Sequence, residues 1–277
     1  MLHNILIGLD GSPESDIALE LGIQWAIRPG AVLIGLGVVD EPSIRKAEPV
    51  GIGGSHYKQH CDQARLEDAK RRVEAFLTRF DQRCANAGVT HRTLQETGDP
   101  AERILFHAED MDLTLLGQRT YFHFETQESE DHTLERVLRR GHRSVVAVPR
   151  EPRGGGGVVV AYDGSGPAAR ALEAFQALEL GQGREMHVVS VAADEKTAAR
   201  RAEEGMKFLR FYGLEAKAWQ VHSTESPAEL LLRQAGELDA GMIVLGAYGR
   251  SRVSEFLFGS TTQSILSRSD RVLFLHT

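Results

Sequence analysis

Three glycines near the C-terminus are spaced as a phosphate-binding loop requires. Gly246 and Gly249 are followed, after nine further residues, by Gly259, Ser260 and Thr261 in the segment GAYGRSRVSEFLFGST. Glycines let a backbone approach phosphate oxygens closely and adopt positive φ. Ser260 and Thr261 open a predicted helix, whose free N–H groups and dipole favour an anion. The pattern predicts a nucleotide or a similar anion here; the alternative is that the glycines only form turns.

An aspartate ends another predicted strand of the same half. Asp163 follows the apolar run VVVAY, where it could accept hydrogen bonds from an adenine or a ribose. No Ser/His/Asp or Cys/His nucleophile arrangement can be placed at a strand end, and no GxxxxGK[ST] loop occurs. The sequence therefore favours binding over catalysis. Enzymatic activity is left open, with slow phosphoanhydride hydrolysis as the most that the residues allow.

The chain contains an internal repeat. NILIGLDGS and GVVVAYDGS are both apolar runs that end in Asp-Gly-Ser, so that Asp10 corresponds to Asp163. Four further landmarks follow in the same order in each half, which is the signature of a duplicated unit. The glycine-rich stretch EPRGGGG cannot hold regular structure cheaply. We predict two domains, residues 1–150 and 157–277, joined by a linker at 151–156.

Each half alternates continuous Val/Ile/Leu runs with amphipathic stretches such as 64–87 and 198–212. Continuous apolar strands are typical of parallel sheets covered on both faces. We predict an α/β fold of two tandem, doubly wound, Rossmann-like parallel sheets of five strands, in the order 3-2-1-4-5, with helices on both faces. Ligands of such sheets bind beyond the carboxyl ends of the strands.

Composition excludes several classes of partner. The 277 residues carry a formal net charge of −7 and no Lys/Arg-rich stripe, so nucleic acid is not expected. No apolar run is long enough for a membrane span, and the N-terminus meets Asp10 too early for a signal peptide. The two cysteines, Cys61 and Cys84, form no CxxC pair. We expect a cytoplasmic protein without structural disulfides.

Two further patterns are weak. Gly164-x-Gly166-x-x-Ala169 is a loose dinucleotide fingerprint, for which a turn and helix entry is the simpler interpretation. The first half also carries an insertion at 41–58, which reads as a long loop running into a helix. His56, His60 and Cys61 lie at its end and could bind a metal, but a fourth ligand is not evident, and a solvated helix start is the alternative.

These motifs resemble the universal stress protein family in its tandem, two-domain form. The family's ATP-binding signature, G-2x-G-9x-G-(S/T), is present without a mismatch from Gly246 to Ser260. The resemblance implies a stress-response regulatory protein that binds ATP, ADP or AMP in its second half. It implies an adenine pocket of Tyr162, Asp163, Val191 and Leu245, and a ribose and phosphate site of Gly246, Gly249, Arg250, Gly259, Ser260 and Thr261.

The first half departs from this signature. Thr120 and His132 stand where the second and third glycines should be, and their side chains would crowd a triphosphate. Four acids would also repel it: Glu125, Glu128, Glu130 and Asp131. We expect no triphosphate in the first half. Asp10 is retained, so a neutral or adenosine-like ligand remains an alternative.

The final apolar runs of the two halves, 145–148 and 272–275, would lie at sheet edges, and exposed apolar edges seek partners. We therefore predict that the two halves act as an intramolecular pseudo-dimer, with a homodimer of the whole chain as a further possibility. The regulated partner protein is not identified by the sequence. The alternative functions are a weak nucleotide hydrolase and a purely structural interaction protein with a relic site.

Overall fold

The protein divides into two compact units in a computed structural model. The N-terminal unit is His3–Arg140, and the C-terminal unit is Gly141–Thr277 together with Met1–Leu2. The structure describes residues 1–27, 30–46, 54–124, 131–247 and 259–276.

The N-terminal unit alternates strands and helices around a parallel sheet in the order β3-β2-β1-β4. Its elements are β1 (Asn4–Leu9), α1 (Pro13–Ile27), β2 (Val32–Val39), α2 (Glu41–Ile44), α3 (Gly54–Asn86), β3 (His91–Thr97), α4 (Pro100–Ala108), β4 (Leu113–Gly117) and α5 (Thr133–Arg140). The apolar runs of β1, β2 and β4 are buried almost throughout, as expected when helices cover both faces.

The C-terminal unit has the sheet order β8-β7-β6-β9-β10-β5. Its elements are β5 (Ser144–Val148), β6 (Gly155–Ala161), α6 (Gly166–Ala177), β7 (Met186–Ala192), α7 (Glu195–Phe211), β8 (Ala216–His222), α8 (Pro227–Glu237), β9 (Ala240–Gly246), α9 (Ser260–Arg268) and β10 (Val272–His276). The predicted order 3-2-1-4-5 is thus present in the second repeat as β8-β7-β6-β9-β10. The α/β fold class is confirmed.

The sixth strand of this sheet, β5, belongs in sequence to the first repeat. It pairs antiparallel with β10, where Val146 lies opposite Phe274 and Ala147 opposite Leu273. All four side chains are fully buried. The apolar edge predicted at residues 272–275 is therefore covered, because β5 supplies the ladder hydrogen bonds that an exposed β10 would lack.

The direction of the chain crossovers creates a switch point in the second repeat. The β6-β7-β8 connections step away from β6 on one side, and the β9-β10 connection lies on its other side. Right-handed crossovers then place α6 and α7 on one face and α8 and α9 on the other. The chain therefore diverges between β6 and β9, where such sheets bind ligands.

The predicted insertion contains more helix than expected. Residues 41–44 form the short helix α2. Asp40 caps its N-terminus by accepting a hydrogen bond from the Ser43 backbone N–H. The predicted helix at 64–87 begins already at Gly54. The rings of His56 and His60 lie 5.9 Å apart, but within the described ranges no three His, Cys, Asp or Glu side chains are grouped as a metal site requires. No helix of the described segments is long and apolar enough to cross a membrane.

Close packing of α3 on the middle of β2 stabilises the N-terminal unit. The buried ring of Phe80 lies against Gly35, where an added Cβ would come within 2.8 Å of the ring. We predict that Phe80→Ala lowers the free energy of unfolding of this unit by about 3–5 kcal/mol, because the neighbouring glycine cannot fill the cavity. Urea unfolding measures this loss. Phe106→Ala, at an exposed ring of α4, is the matched control and should change stability by less than about 1 kcal/mol. Equal losses in the two variants would contradict the proposed packing.

Candidate functional site

A cavity of about 470 Å³ lies at the switch point of the C-terminal unit. The strands β6, β7 and β9 and the two residues that follow β6 contribute Ala161, Tyr162, Asp163, Val189, Val191, Leu245 and Gly246. The remaining lining comes from helices and their starts: Ser165, Pro167, Ala168, Arg201, Pro227, Leu231, Gly259, Thr261, Thr262 and Ile265. The cavity volume is within the range of small-molecule sites.

Seven of the ten residues predicted for the site line this cavity: Tyr162, Asp163, Val191, Leu245, Gly246, Gly259 and Thr261. Ser260 is the exposed first residue of α9 and is not part of the lining. Gly249 and Arg250 lie outside the described residues. The structure thus brings together side chains from three strands that are far apart in sequence.

One wall of the cavity is apolar. Val189 and Val191 come from β7 and Leu245 from β9, the two strands that flank β6, and Ala161 ends β6 between them. Burial raises the pKa of the Tyr162 hydroxyl above its ordinary value, so this side chain is neutral at physiological pH. Such a wall suits the flat face of a base or another apolar ring.

Asp163 places a carboxylate at the end of β6. Its Oδ1 atom accepts a hydrogen bond of 2.9 Å from the Ser165 backbone N–H, and Gly164 between them has φ +74°. The carboxylate accepts no other hydrogen bond from the described part of the chain. Its second oxygen is therefore available to a donor group in the cavity.

The start of α9 forms another wall. No side chain of the described residues caps this helix at Gly259, so the first backbone N–H groups are free to bind an anion. Thr262 Oγ1 donates a hydrogen bond of 3.4 Å to the Gly246 carbonyl and ties the helix start to β9. An anion at this point would lie within the cavity, since Gly259, Thr261 and Thr262 all line it.

Two glycines of the signature, Gly246 and Gly259, lie in the described segments, and an added side chain would meet different surroundings at each. A Cβ added at Gly246 would come within 2.5 Å of the Pro167 backbone, so close packing of α6 on β9 requires glycine there. At Gly259 the φ is negative, and the nearest atom to an added Cβ is Thr262 Oγ1 at 3.9 Å. Among the described residues, neither the backbone nor the neighbouring atoms require glycine at 259.

Arg201 is a lining residue that the sequence did not reveal. It reaches the cavity from α7, and its side chain packs 3.4 Å from the Cβ position of Gly164. It carries the one positive charge among the described lining residues, and it makes no hydrogen bond or ion pair with any of them. On sequence alone it is one of many basic residues of a solvated helix, so no signal marked it.

The corresponding aspartate of the N-terminal unit is closed off. Asp10 is 2% exposed, and its carboxylate accepts hydrogen bonds from the Ser12 backbone and hydroxyl and from the Tyr121 backbone N–H. Burial raises the pKa of the Asp10 carboxyl. These hydrogen bonds lower the pKa, but they offset the effect of burial only in part. Both carboxylate oxygens are used, in contrast to Asp163.

Two of the residues predicted to exclude a triphosphate from the first half, Thr120 and Asp131, bind each other. Thr120 Oγ1 donates to Asp131, whose side chain is only 6% exposed, so this carboxylate lies inside the fold. His132 is exposed. The acids Glu125, Glu128 and Glu130 lie outside the described residues.

His123 joins two strand ends of the N-terminal unit. Its Nδ1 atom contacts a carboxylate oxygen of Asp40, at the end of β2, and its Nε2 atom lies 3.9 Å from Asp131. The hydrogen bond to Asp40, with Asp131 and Asp99 nearby, raises the pKa of His123 despite partial burial. The imidazolium is therefore favoured in the folded state.

This raised pKa predicts a pH dependence of stability. The contribution of His123 to the stability of the folded state is fully present below its unfolded pKa of about 6.5. It is lost as the pH rises through the higher pKa of the folded state. We expect the melting temperature of the wild type to fall as the pH rises from about 6.5 into the alkaline range, and His123→Asn to abolish part of that fall. His142→Asn, at an exposed histidine, is the control. Parallel pH profiles for wild type and His123→Asn would refute the prediction.

Comparisons with known proteins agree with the repeat and the fold. The model of the universal stress protein family matches residues 1–149 and again 157–273. Universal stress protein Slr1230 of Synechocystis is 24% identical over an alignment of 285 positions, which covers 97% of each chain. Universal stress protein YxiE of Bacillus subtilis is 27% identical over 116 residues, or 42% of this chain and 77% of that protein.

A solved structure extends this agreement to three dimensions. The crystal structure of a universal stress protein from Archaeoglobus fulgidus covers 99% of this chain and 98% of its own, with a TM-score of 0.73 at 23% identity. The resemblance drawn from the sequence motifs is confirmed. Because the family model matches both repeats over most of their length, the chain belongs to the universal stress protein family, in its tandem form.

Proposed function

We propose that this protein is a stress-response regulator that binds ATP, or the related ADP or AMP, in its second repeat. The observation that carries the proposal is the shared cavity of Asp163 and the uncapped start of α9. One offers an acceptor for a base or ribose, and the other offers donors to a phosphate. An adenine nucleotide carries hydrogen-bond donors on its base and ribose at one end and the phosphates at the other.

The residues proposed to hold the nucleotide divide by chemistry. Tyr162, Val191 and Leu245 would contact the base, and Asp163 would accept hydrogen bonds from the base or the ribose. Gly246, Gly249, Arg250, Gly259, Ser260 and Thr261 would surround the ribose and phosphates. The apolar wall, the open Asp163 oxygen and the unfilled space at Gly259 support this division.

We propose binding without efficient turnover. The titratable side chains among the described lining residues are Tyr162, Asp163 and Arg201. Of these, Asp163 is the one group that could act as a base, and its place beside the apolar wall puts it at the base end of the proposed ligand. Slow hydrolysis is the most that this arrangement supports.

We propose that the two domains are residues 1–150 and 157–277, with a linker at 151–156, and that the first acts as the pseudo-dimer partner of the second. The antiparallel pairing of β5 with β10 supports this arrangement, since a strand of the first repeat completes the sheet of the second. Both cysteines are unpaired, which supports a reducing, cytoplasmic setting. A nucleotide would regulate an unidentified protein partner by binding one state of the pair better than another.

Calorimetric titration with ATP tests the proposal. We expect binding by the wild type and at least about tenfold weaker binding by Gly259→Glu, because a carboxylate at the start of α9 would occupy and repel the phosphate position. Gly236→Glu is the matched control, since an added Cβ at this exposed site of α8 meets nothing within 4 Å. Absence of heat with the wild type would leave a structural interaction protein with a relic site. Sustained ATP turnover lost in Asp163→Asn would favour the hydrolase.

Arg201 provides a second test, of charge recognition. We expect Arg201→Gln to weaken ATP binding about three- to tenfold and to leave adenosine binding unchanged, because the lost cation would contact only an anionic part of the ligand. Thermal-shift titrations with the two ligands measure the difference. Arg200→Gln, on the same helix and ion-paired with Glu204, is the control. An equal loss for ATP and adenosine would instead place Arg201 against the base or the ribose.

A further inference from the structure

A segment of the N-terminal unit lies where the C-terminal unit has its cavity. Residues 118–124 follow β4 directly, as the signature loop follows β9, and we call them the strap. The strap is held by hydrogen bonds from its backbone to Asp10 and Asp131. The strap makes contacts at positions that correspond to the cavity lining of the second repeat.

The ring of Phe122 fills the place of a base. It is 2% exposed and packs against Gly8, where an added Cβ would lie 3.0 Å from the ring atom Cζ. Gly8 stands two residues before Asp10. The residue two positions before Asp163 is Ala161, which lines the cavity. An aromatic side chain thus covers the strand position that, among the described residues of the second repeat, faces the cavity.

The backbone of Tyr121 fills the place of a ligand donor. Its N–H donates a hydrogen bond of 2.6 Å to Asp10 Oδ2, while Ser12 binds Oδ1. In the second repeat Ser165 binds Asp163 in the same way, but the other oxygen has no partner among the described residues. The strap therefore satisfies the acceptor that the proposed nucleotide would satisfy.

The carboxylate of Asp131 fills the place of a phosphate. It accepts hydrogen bonds from Thr120 Oγ1 at 2.9 Å, from the Phe122 N–H at 2.5 Å and from the Thr133 N–H at 2.8 Å. Thr133 begins α5, which occupies the same place in the first repeat as α9 in the second. An anion at a helix start with several N–H and O–H donors is the arrangement that binds phosphate.

Two further rings, those of Phe76 and Phe124, pack together beside Gly11. In the second repeat Arg201 of α7 packs beside Gly164; in the first, Phe76 of α3 lies against Gly11, with Phe124 of the strap edge-on to it at 5.9 Å between ring centroids. The position that Arg201 takes beside Gly164 is therefore taken by an aromatic ring beside Gly11, and Arg72 of α3 lies over the Phe124 ring at 5.7 Å from its centroid. His123, between these positions, links the strap to Asp40.

We propose that the strap and Asp131 form an internal mimic of the ligand, with the Phe122 ring in place of the base and the Asp131 carboxylate in place of the phosphate. The first repeat is then permanently occupied by its own chain, and the protein binds one nucleotide per chain. This comparison rests on the function proposed for the second repeat. The contacts of the strap within the first repeat do not depend on it.

Residue-resolved hydrogen exchange of the wild-type chain tests the mimic without any substitution. In ligand-free protein we expect the amides of Tyr121, Phe122 and Thr133 to be protected, and saturating ATP to leave their exchange rates unchanged. The amides at the start of α9, Ser260 to Thr262, should become protected only when ATP is added. Unprotected strap amides, or strap amides that respond directly to ATP, would overturn the proposal.

A variant separates the carboxylate from the rest of the strap. Asp131→Asn should raise the exchange rates of the Phe122 and Thr133 amides about 10- to 100-fold, because a charge-assisted hydrogen bond is weakened. The Tyr121 amide, bound to Asp10, should change much less. Asp110→Asn, at an exposed carboxylate of the same unit, is the matched control. A uniform increase at all three amides would indicate general destabilisation and contradict the specific role of Asp131.

Stoichiometry completes the test. Titration of the wild type with ATP should give one site per chain, and Gly259→Glu should leave no second site at the same ATP concentrations. A binding event that survives in Gly259→Glu and is lost in Phe122→Trp would place a ligand under the strap and refute the mimic. If ATP binds nowhere while the strap amides remain protected, the nucleotide function fails and the self-filled first repeat stands.

Discussion

A single hydrogen bond ends the first strand of both repeats and fixes the sites that follow. The N–H of Ser12 or Ser165 binds the carboxylate of the aspartate two residues before it, at 2.9 Å in each case. The glycine between them takes φ +76° or +74°, a conformation that other residues rarely adopt. The turn presents the carboxylate at the carboxyl edge of the sheet in both halves. At this edge of the sheet the halves differ in what meets that carboxylate.

The same frame therefore supports two different electrostatic environments. Around Asp10 the neighbours are backbone N–H groups and aromatic rings, so the carboxylate is desolvated and fully hydrogen-bonded. Around Asp163 the neighbours are an open cavity, a free helix start and the cation of Arg201. The second environment offers an acceptor, N–H donors and a cation, whereas in the first the carboxylate already has its hydrogen-bond partners.

Much of the fold was predictable because its determinants are local. Continuous apolar runs and the Asp-Gly-Ser turns gave the α/β class, the repeat and the strand order of the second repeat. The determinants of the sites are not local. Arg201 lies on a helix whose register against the sheet no pattern specifies, and Phe122 is a phenylalanine in a stretch that reads as a polar loop. From the sequence alone Asp131 is one of four acids that would repel a triphosphate, because the sequence does not reveal that its carboxylate turns inward to a helix start.

The pairing of β5 with β10 has a consequence for how the chain is made. β5 ends at Val148 and its partner begins at Val272. Ribosomes add about 5–20 residues per second, so β5 waits roughly 6–25 s for the strand that completes its sheet. The N-terminal unit, which ends at Arg140, has all its strands by then. The C-terminal unit instead depends on a long-range antiparallel closure between its first strand and its last, the kind of contact that forms slowly.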